Sequence, residues 1–124
     1  MRILLMSVLL FFFPLMVNAD INGVKETEFR NMRVSGENGT YRVSGEVKWN
    51  DKGVFYTVED GHNEYLREQR IWIKGKQVKW RPFSFTIQIP LVKLPENGTL
   101  MVYLYKRNQN GEIENEYPVV LERF

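Results

Sequence analysis

The sequence predicts an all-β fold, an antiparallel sandwich of two sheets built from about seven short strands. Three observations carry this prediction. Apolar and polar residues alternate with a period of two in several separate stretches. Turn-forming clusters such as Glu37-Asn38-Gly39-Thr40 and Asn97-Gly98-Thr99 separate those stretches. Beyond the N-terminal apolar run, no segment has the three-and-four spacing of an amphipathic helix. A small barrel is the alternative architecture that the same pattern allows.

At the start of the chain, Met1 and Arg2 precede an apolar run from Ile3 to Val17, broken only by Ser7 and Pro14. Val17-Asn18-Ala19 then places small or apolar residues at the two positions that a signal peptidase reads. Residues 1–19 are therefore expected to be a cleavable signal peptide and residues 20–124 a single domain, secreted and with no membrane attachment after cleavage. The alternative, a retained anchor, needs about 20 apolar residues, and this run is shorter. The chain has no cysteine, which excludes both lipid attachment at the new N-terminus and disulfide staples, so a sheet core must supply the stability. One of the 17 basic residues, Arg2, lies in the leader, and the others nearly balance 15 acidic ones. They are dispersed and often sit beside acids, as in Arg67-Glu68 and Glu122-Arg123, which excludes a nucleic-acid footprint.

The elements follow in order. Glu28 to Val34 reads as an opening strand with broken alternation. After the Asn38-Gly39 turn, Tyr41, Val43, Gly45, Val47 and Trp49 share one face of a strand whose other face is polar. Asn50 to Gly53 is the next turn, and Val54 to Val58 is a strand rich in β-branched and aromatic residues. Glu59 to Asn63 is a hairpin signal, and Tyr65 to Lys74 follows with Ile71 and Ile73 on one face and Arg70, Trp72 and Lys74 on the other. Trp80 to Pro90 alternates as well: Phe83, Phe85, Ile87 and Ile89 against Ser84, Thr86 and Gln88. Pro82 and Pro90 bound it, since proline cannot donate to a ladder. Trp80 and the Phe83 to Ile89 face are expected to hold the two sheets together. Leu100 to Arg107 is apolar on both faces, as in a central strand covered twice or one carrying an outward aromatic patch. Asn108 to Gly111 is a loop and Tyr117 to Phe124 the last strand.

Taken in order, Val43-Ser44-Gly45, Asp60-Gly61 followed by Leu66, Trp80 with Pro82-Phe83, Gly98-Thr99-Leu100, and Gly111 before Pro118-Val119 resemble the immunoglobulin-like domain of bacterial spore germination. The resemblance spans Tyr41 to Leu121. It implies an immunoglobulin-like sandwich outside the cytoplasmic membrane, at the cell envelope or spore surface, without catalysis and without a cofactor, and it brings no catalytic residue with it. Such modules often belong to envelope lipoproteins; this chain has no lipid-attachment cysteine and no companion domain within its 124 residues. The absence of cysteine in an exported domain also fits a bacterial source.

Few residues offer chemistry. His62 is the single histidine, in Glu59-Asp60-Gly61-His62-Asn63-Glu64; a metal site needs further ligands at matched spacing, and a polar hairpin loop accounts for these residues. Ser35, Ser44 and Ser84 sit in strand or turn contexts without a partner base. Glu112, Glu114 and Glu116 lie on one strand face or in one loop, where like charges discourage edge-to-edge aggregation. Asn38-Gly39-Thr40 and Asn97-Gly98-Thr99 match the N-glycosylation pattern and read as hairpin turns. No catalytic residue, cofactor or metal site is expected. The candidate binding residues are Trp72, Met101, Tyr103 and Tyr105, which lie opposite the inward apolar positions of their strands. Arg70, Lys74, Lys106 and Arg107 flank them and favour an anionic partner. The leading expectation is a non-enzymatic module that binds a protein or cell-wall polymer. The alternatives are a peptidase inhibitor acting through a protruding Asn108 to Glu116 loop, and a carbohydrate-binding module using Trp72, Tyr103 and Tyr105.

Overall fold

The computed structural model describes residues 28–48, 53–73, 75 and 78–124. The expected signal peptide, Trp49, Asn50 to Lys52 of the turn after it, and Lys74 lie outside the described residues. Seven strands are present: β1 (Phe29–Glu37), β2 (Thr40–Lys48), β3 (Val54–Glu59), β4 (Glu64–Ile71), β5 (Trp80–Gln88), β6 (Thr99–Arg107) and β7 (Ile113–Arg123). They form two sheets, ordered β1-β2-β5 and β4-β3-β6-β7, with every pairing antiparallel. The fold is therefore the expected all-β sandwich of seven antiparallel strands. In a constant-type immunoglobulin sandwich the fourth strand sits beside the fifth. Here it pairs with the third, at the edge of the other sheet.

The β1–β2 hairpin forms as its sequence requires. Glu37 pairs with Thr40, and Asn38 and Gly39 take φ of 55° and 96°, the two left-handed positions of a two-residue hairpin turn. A Cβ on Gly39 would lie 2.3 Å from the carbonyl oxygen of Ile89, so only glycine fits. The second Asn-Gly behaves differently. Asn97-Gly98 lies on the crossover between sheets rather than in a hairpin, and the Gly98 carbonyl accepts the Phe124 N–H at 2.8 Å. The broken alternation of the first strand has a local cause. The β1–β2 register shifts between Arg30 and Arg33, where Asn31 has φ of 55°. The extra residue of this bulge moves the inward phase from Phe29 to Met32 and Val34.

The core lies between the sheets. Tyr41, Val43 and Val47 of β2 and Phe83 and Ile87 of β5 face Val54, Tyr56 and Val58 of β3 and Leu100, Val102 and Leu104 of β6. Tyr56 stacks on Phe85 across the gap with centroids 4.3 Å apart, and Phe29 of β1 meets Tyr117 of β7 at 5.8 Å. At one end, the buried Tyr41 hydroxyl donates to Glu122 Oε1 at 2.6 Å and accepts the Gly39 N–H, while the Asn38 N–H donates to the same Glu122 oxygen. Burial, followed by the Glu122 hydrogen bond, pushes the Tyr41 phenol up to about 12.

Two inward positions correct the sequence reading. Trp80 does not hold the sheets together. The β2–β5 register runs without a bulge, so Trp80 shares the outward phase of Pro82 and Ser84, and Arg81 takes the inward phase instead, buried, with its guanidinium donating to the Gly75 carbonyl at 2.9 Å. Trp80 packs outside the smaller sheet under the Arg30 guanidinium, 4.0 Å from its ring centroid. Lys106 likewise does not flank an outer patch. It continues the inward row of Leu100, Val102 and Leu104 and is fully buried. Its ammonium donates to Glu28 Oε1 at 2.7 Å and to the Lys48 carbonyl at 2.9 Å.

Candidate functional site

The outer face of the four-stranded sheet is built on cross-strand neighbours. Arg70 of β4 pairs with Phe55 of β3, and Phe55 pairs with Tyr105 of β6. Side chains directly opposite one another on one face of a sheet touch, and these three form a stack that continues at both ends. The Arg107 guanidinium lies 5.7 Å from the Tyr105 ring. Tyr105 and Phe55 stack at 6.0 Å. Arg70 lies 5.5 Å from the Phe55 ring and 4.7 Å from the Trp72 ring, just past the end of β4. The result is a ladder in the order Arg107, Tyr105, Phe55, Arg70 and Trp72, with a stacked aromatic pair at its centre and each guanidinium contact favoured by the ring quadrupole. Gly53 leaves room for it, since a Cβ there would come within 2.6 Å of the Phe55 ring and 3.2 Å of Arg70.

Electrostatically the two ends differ. Glu68 caps the Arg107 end, accepting from Arg107 at 2.7 and 3.0 Å and from the Tyr105 hydroxyl at 2.5 Å. The Arg107 hydrogen bond, then that of Tyr105, holds the Glu68 carboxyl below its usual range. Burial and the Glu68 bond push the Tyr105 phenol well up, and Arg107 is held more firmly protonated by Glu68. The Arg70 end has no such cap. Among the described residues, no carboxylate lies within ion-pair distance of Arg70.

Of the four candidate residues, this geometry brings together Trp72 and Tyr105. Trp72 is 73% exposed and forms the open end of the ladder. Tyr105 lies on this outer face but is buried, the covered alternative of the sequence reading, because Phe55, Arg107 and Glu68 cover it. Met101 and Tyr103 are partly exposed on the same face, opposite Val120 and Pro118 of β7. Sequence reasoning missed Phe55 and Glu68. Their signal was the register itself, since Phe55 meets Tyr105 directly once β3 and β6 are known to pair.

The other candidates lie apart. His62 is exposed in the β3–β4 turn, where Asp60 Oδ1 accepts the N–H groups of His62 and Asn63 and Oδ2 accepts the Tyr65 hydroxyl. The Asn63 and His62 N–H groups, with Tyr65, hold the Asp60 carboxyl down to about 2. This turn lines a shallow cleft of about 310 Å³ with Pro95, Glu96 and Asn97. Among the described residues, no group of three or more His, Cys, Asp or Glu side chains is placed to hold a metal ion. Ser44 and Ser84 face each other across β2 and β5, on the sheet away from His62. The Asn108 to Glu116 stretch is an exposed connection tied by its own hydrogen bonds. The Asn108 side chain accepts the Asn110 and Glu112 N–H groups and donates to Glu112 and Glu114, and β7 begins at Ile113. Among the described residues no helix is long and apolar enough to cross a membrane.

Protein-family models were compared with the chain and none matches, and no curated protein matches it.

Proposed function

We propose that this chain is a secreted, non-catalytic immunoglobulin-like binding module of the bacterial cell envelope or spore surface, of the kind its resemblance to the spore-germination domain implies, and that it binds a protein or cell-wall polymer through the outer face of the four-stranded sheet. The observation that supports this reading is Trp72, a large aromatic ring 73% exposed and backed by a stacked arginine. Tryptophan and arginine are over-represented among binding hot spots. The outer face of the smaller sheet is a poorer candidate. Arg42, Ser84, Thr86 and Gln88 make it polar, and its one large ring, Trp80, is covered by Arg30, whose charge is taken up by Glu46 at 2.7 Å.

Retention on purified peptidoglycan and on spore-coat fractions tests the proposal. The protein is expected to be retained by at least one fraction, and Trp72→Ala to lose most of that retention with an unchanged thermal midpoint. Retention by neither fraction, or equal retention of Trp72→Ala, refutes it.

A further inference from the structure

We infer that Arg70 and Trp72 together form a subsite for a carboxylated saccharide, an inference that rests on the binding reading above and names the chemistry of the partner.

The argument begins with a comparison inside the molecule. Among the described residues, three arginines stack on aromatic rings: Arg30 on Trp80 at 4.0 Å, Arg107 on Tyr105 at 5.7 Å, and Arg70 on Trp72 at 4.7 Å. Two of them have their charge answered from within the chain, Arg30 by Glu46 and Arg107 by Glu68, each at 2.7 Å. Arg70 alone is stacked and exposed with no carboxylate beside it among the described residues. Its guanidinium lies near two rings, 5.5 Å from that of Phe55 and 4.7 Å from that of Trp72. An arginine fixed in this way has already given up much of the rotamer freedom that binding would cost it, so an anion meeting it gains more of the interaction. The planar fork matches a carboxylate with two parallel N–H···O bonds.

Trp72 supplies the second half. Arg70 occupies part of its surroundings, yet 73% of the residue remains exposed, so the ring offers an open flat platform rather than a pocket. Protein hot spots favour desolvated pockets ringed by other contacts. A pyranose presents a broad, flat C–H surface with polar edges, and it suits an open aromatic plane beside hydrogen-bonding groups. Within the ladder only Arg70 is uncompensated among the described residues, which favours a monoanionic carboxylate over a phosphate dianion, because the next guanidinium along it, Arg107, is committed to Glu68.

Titration calorimetry with three probes tests the inference: trigalacturonate, its methyl ester, and a mannose-6-phosphate oligosaccharide. Trigalacturonate is expected to bind at least tenfold more tightly than the ester and more tightly than the phosphate probe, with affinity falling as salt rises. Arg70→Gln should lower trigalacturonate affinity at least tenfold and leave the ester unchanged. Arg70→Lys, which keeps the charge but loses the fork, should restore only part of it. Trp72→Ala should remove binding of both sugars. Equal affinity for acid and ester, a preference for the phosphate probe, an unaffected Arg70→Gln, or no binding of trigalacturonate overturns the inference. Trp72-dependent retention on wall or coat fractions alongside any of these results would leave the binding reading standing and remove only the saccharide assignment.

Discussion

Replacing Glu28 by alanine removes the one carboxylate among the described residues that reaches the Lys106 ammonium. The lysine side chain has no exposure, that of Glu28 is 23% exposed, and their charged atoms are 2.7 Å apart. At an effective dielectric of about 20, that separation gives a gross attraction of about 6 kcal/mol. Withdrawing the ammonium from water costs several kcal/mol, so the pair comes out near balance. Removing only the acid leaves the ammonium buried with the Lys48 carbonyl at 2.9 Å and whatever water enters beside it. Breaking a buried pair costs about 3–5 kcal/mol, and the partial exposure of Glu28 puts the expected loss near 3 kcal/mol. Lys106→Met removes the charge and its solvation problem together. It extends the apolar row of Leu100, Val102 and Leu104 and should change stability by less than about 1 kcal/mol. In the Lys106→Met background, Glu28→Ala should then cost little. Urea denaturation of the two single variants and the double variant measures all three quantities through their midpoints. If Lys106→Met proves more damaging than Glu28→Ala, or if the two losses simply add, the buried charge is not what Glu28 serves.

Other parts of the fold make separate predictions. Tyr41→Phe should cost about 2 kcal/mol at neutral pH, since it removes a hydrogen bond to a carboxylate and leaves the Gly39 N–H without its acceptor. In the parent protein the Tyr41 phenol titrates near 12 when folded against about 10 when unfolded. The folded state therefore keeps a proton that the unfolded state releases, and the stability this group contributes is present below pH 10 and lost as pH rises towards 12; chemical denaturation across that window should show a shallower fall in Tyr41→Phe. Asp60 has the opposite sign. Its carboxyl is held near 2 against an ordinary 3.8, so its contribution is complete above the ordinary value and disappears as pH falls towards 2, and thermal midpoints of Asp60→Ala should be less acid-sensitive in that range. Gly53→Ala should cost about 1–3 kcal/mol by pushing the Phe55 ring out of the ladder, with a change in near-ultraviolet circular dichroism; unchanged aromatic signals would contradict the packing described.

Much of this architecture can be read from residue parity and turn chemistry. The Asn38-Gly39 turn, the alternation of Tyr41 to Val47 and that of Phe83 to Ile87 all appear where the pattern places them. Even the displaced fourth strand had a signal. The short Glu59 to Asn63 hairpin ties β4 to β3, and strands joined by a tight hairpin share a sheet. Two residues went unread although parity placed them. Lys106 is in phase with Leu104, and Arg81 with Phe83, yet the rarity of fully buried lysine and arginine argues against believing it. Trp80 is out of phase with Phe83 for the same reason. In the candidate site, the exposure of Trp72 followed from its position opposite Ile71 and Ile73. The cover over Tyr105 did not, because Phe55 and Glu68 reach it from strands that are distant in the chain, and alternation within one strand carries no information about its neighbours.

The bond from Tyr41 to Glu122 spans 81 residues, and that from the Asn38 N–H to the same carboxylate spans 84. As the chain is synthesised, the first hairpin emerges early and complete in its local pairing, but it lacks this anchor until nearly the last strand has been made. The same delay applies to the sheets, since β2 waits for β5 and β3 waits for β6. Contacts of such separation slow folding, because loop closure must precede the interactions that reward it. Each sheet is joined across a long-range pairing, β2 with β5 or β3 with β6, and the first hairpin gains its Glu122 anchor only once β7 is in place.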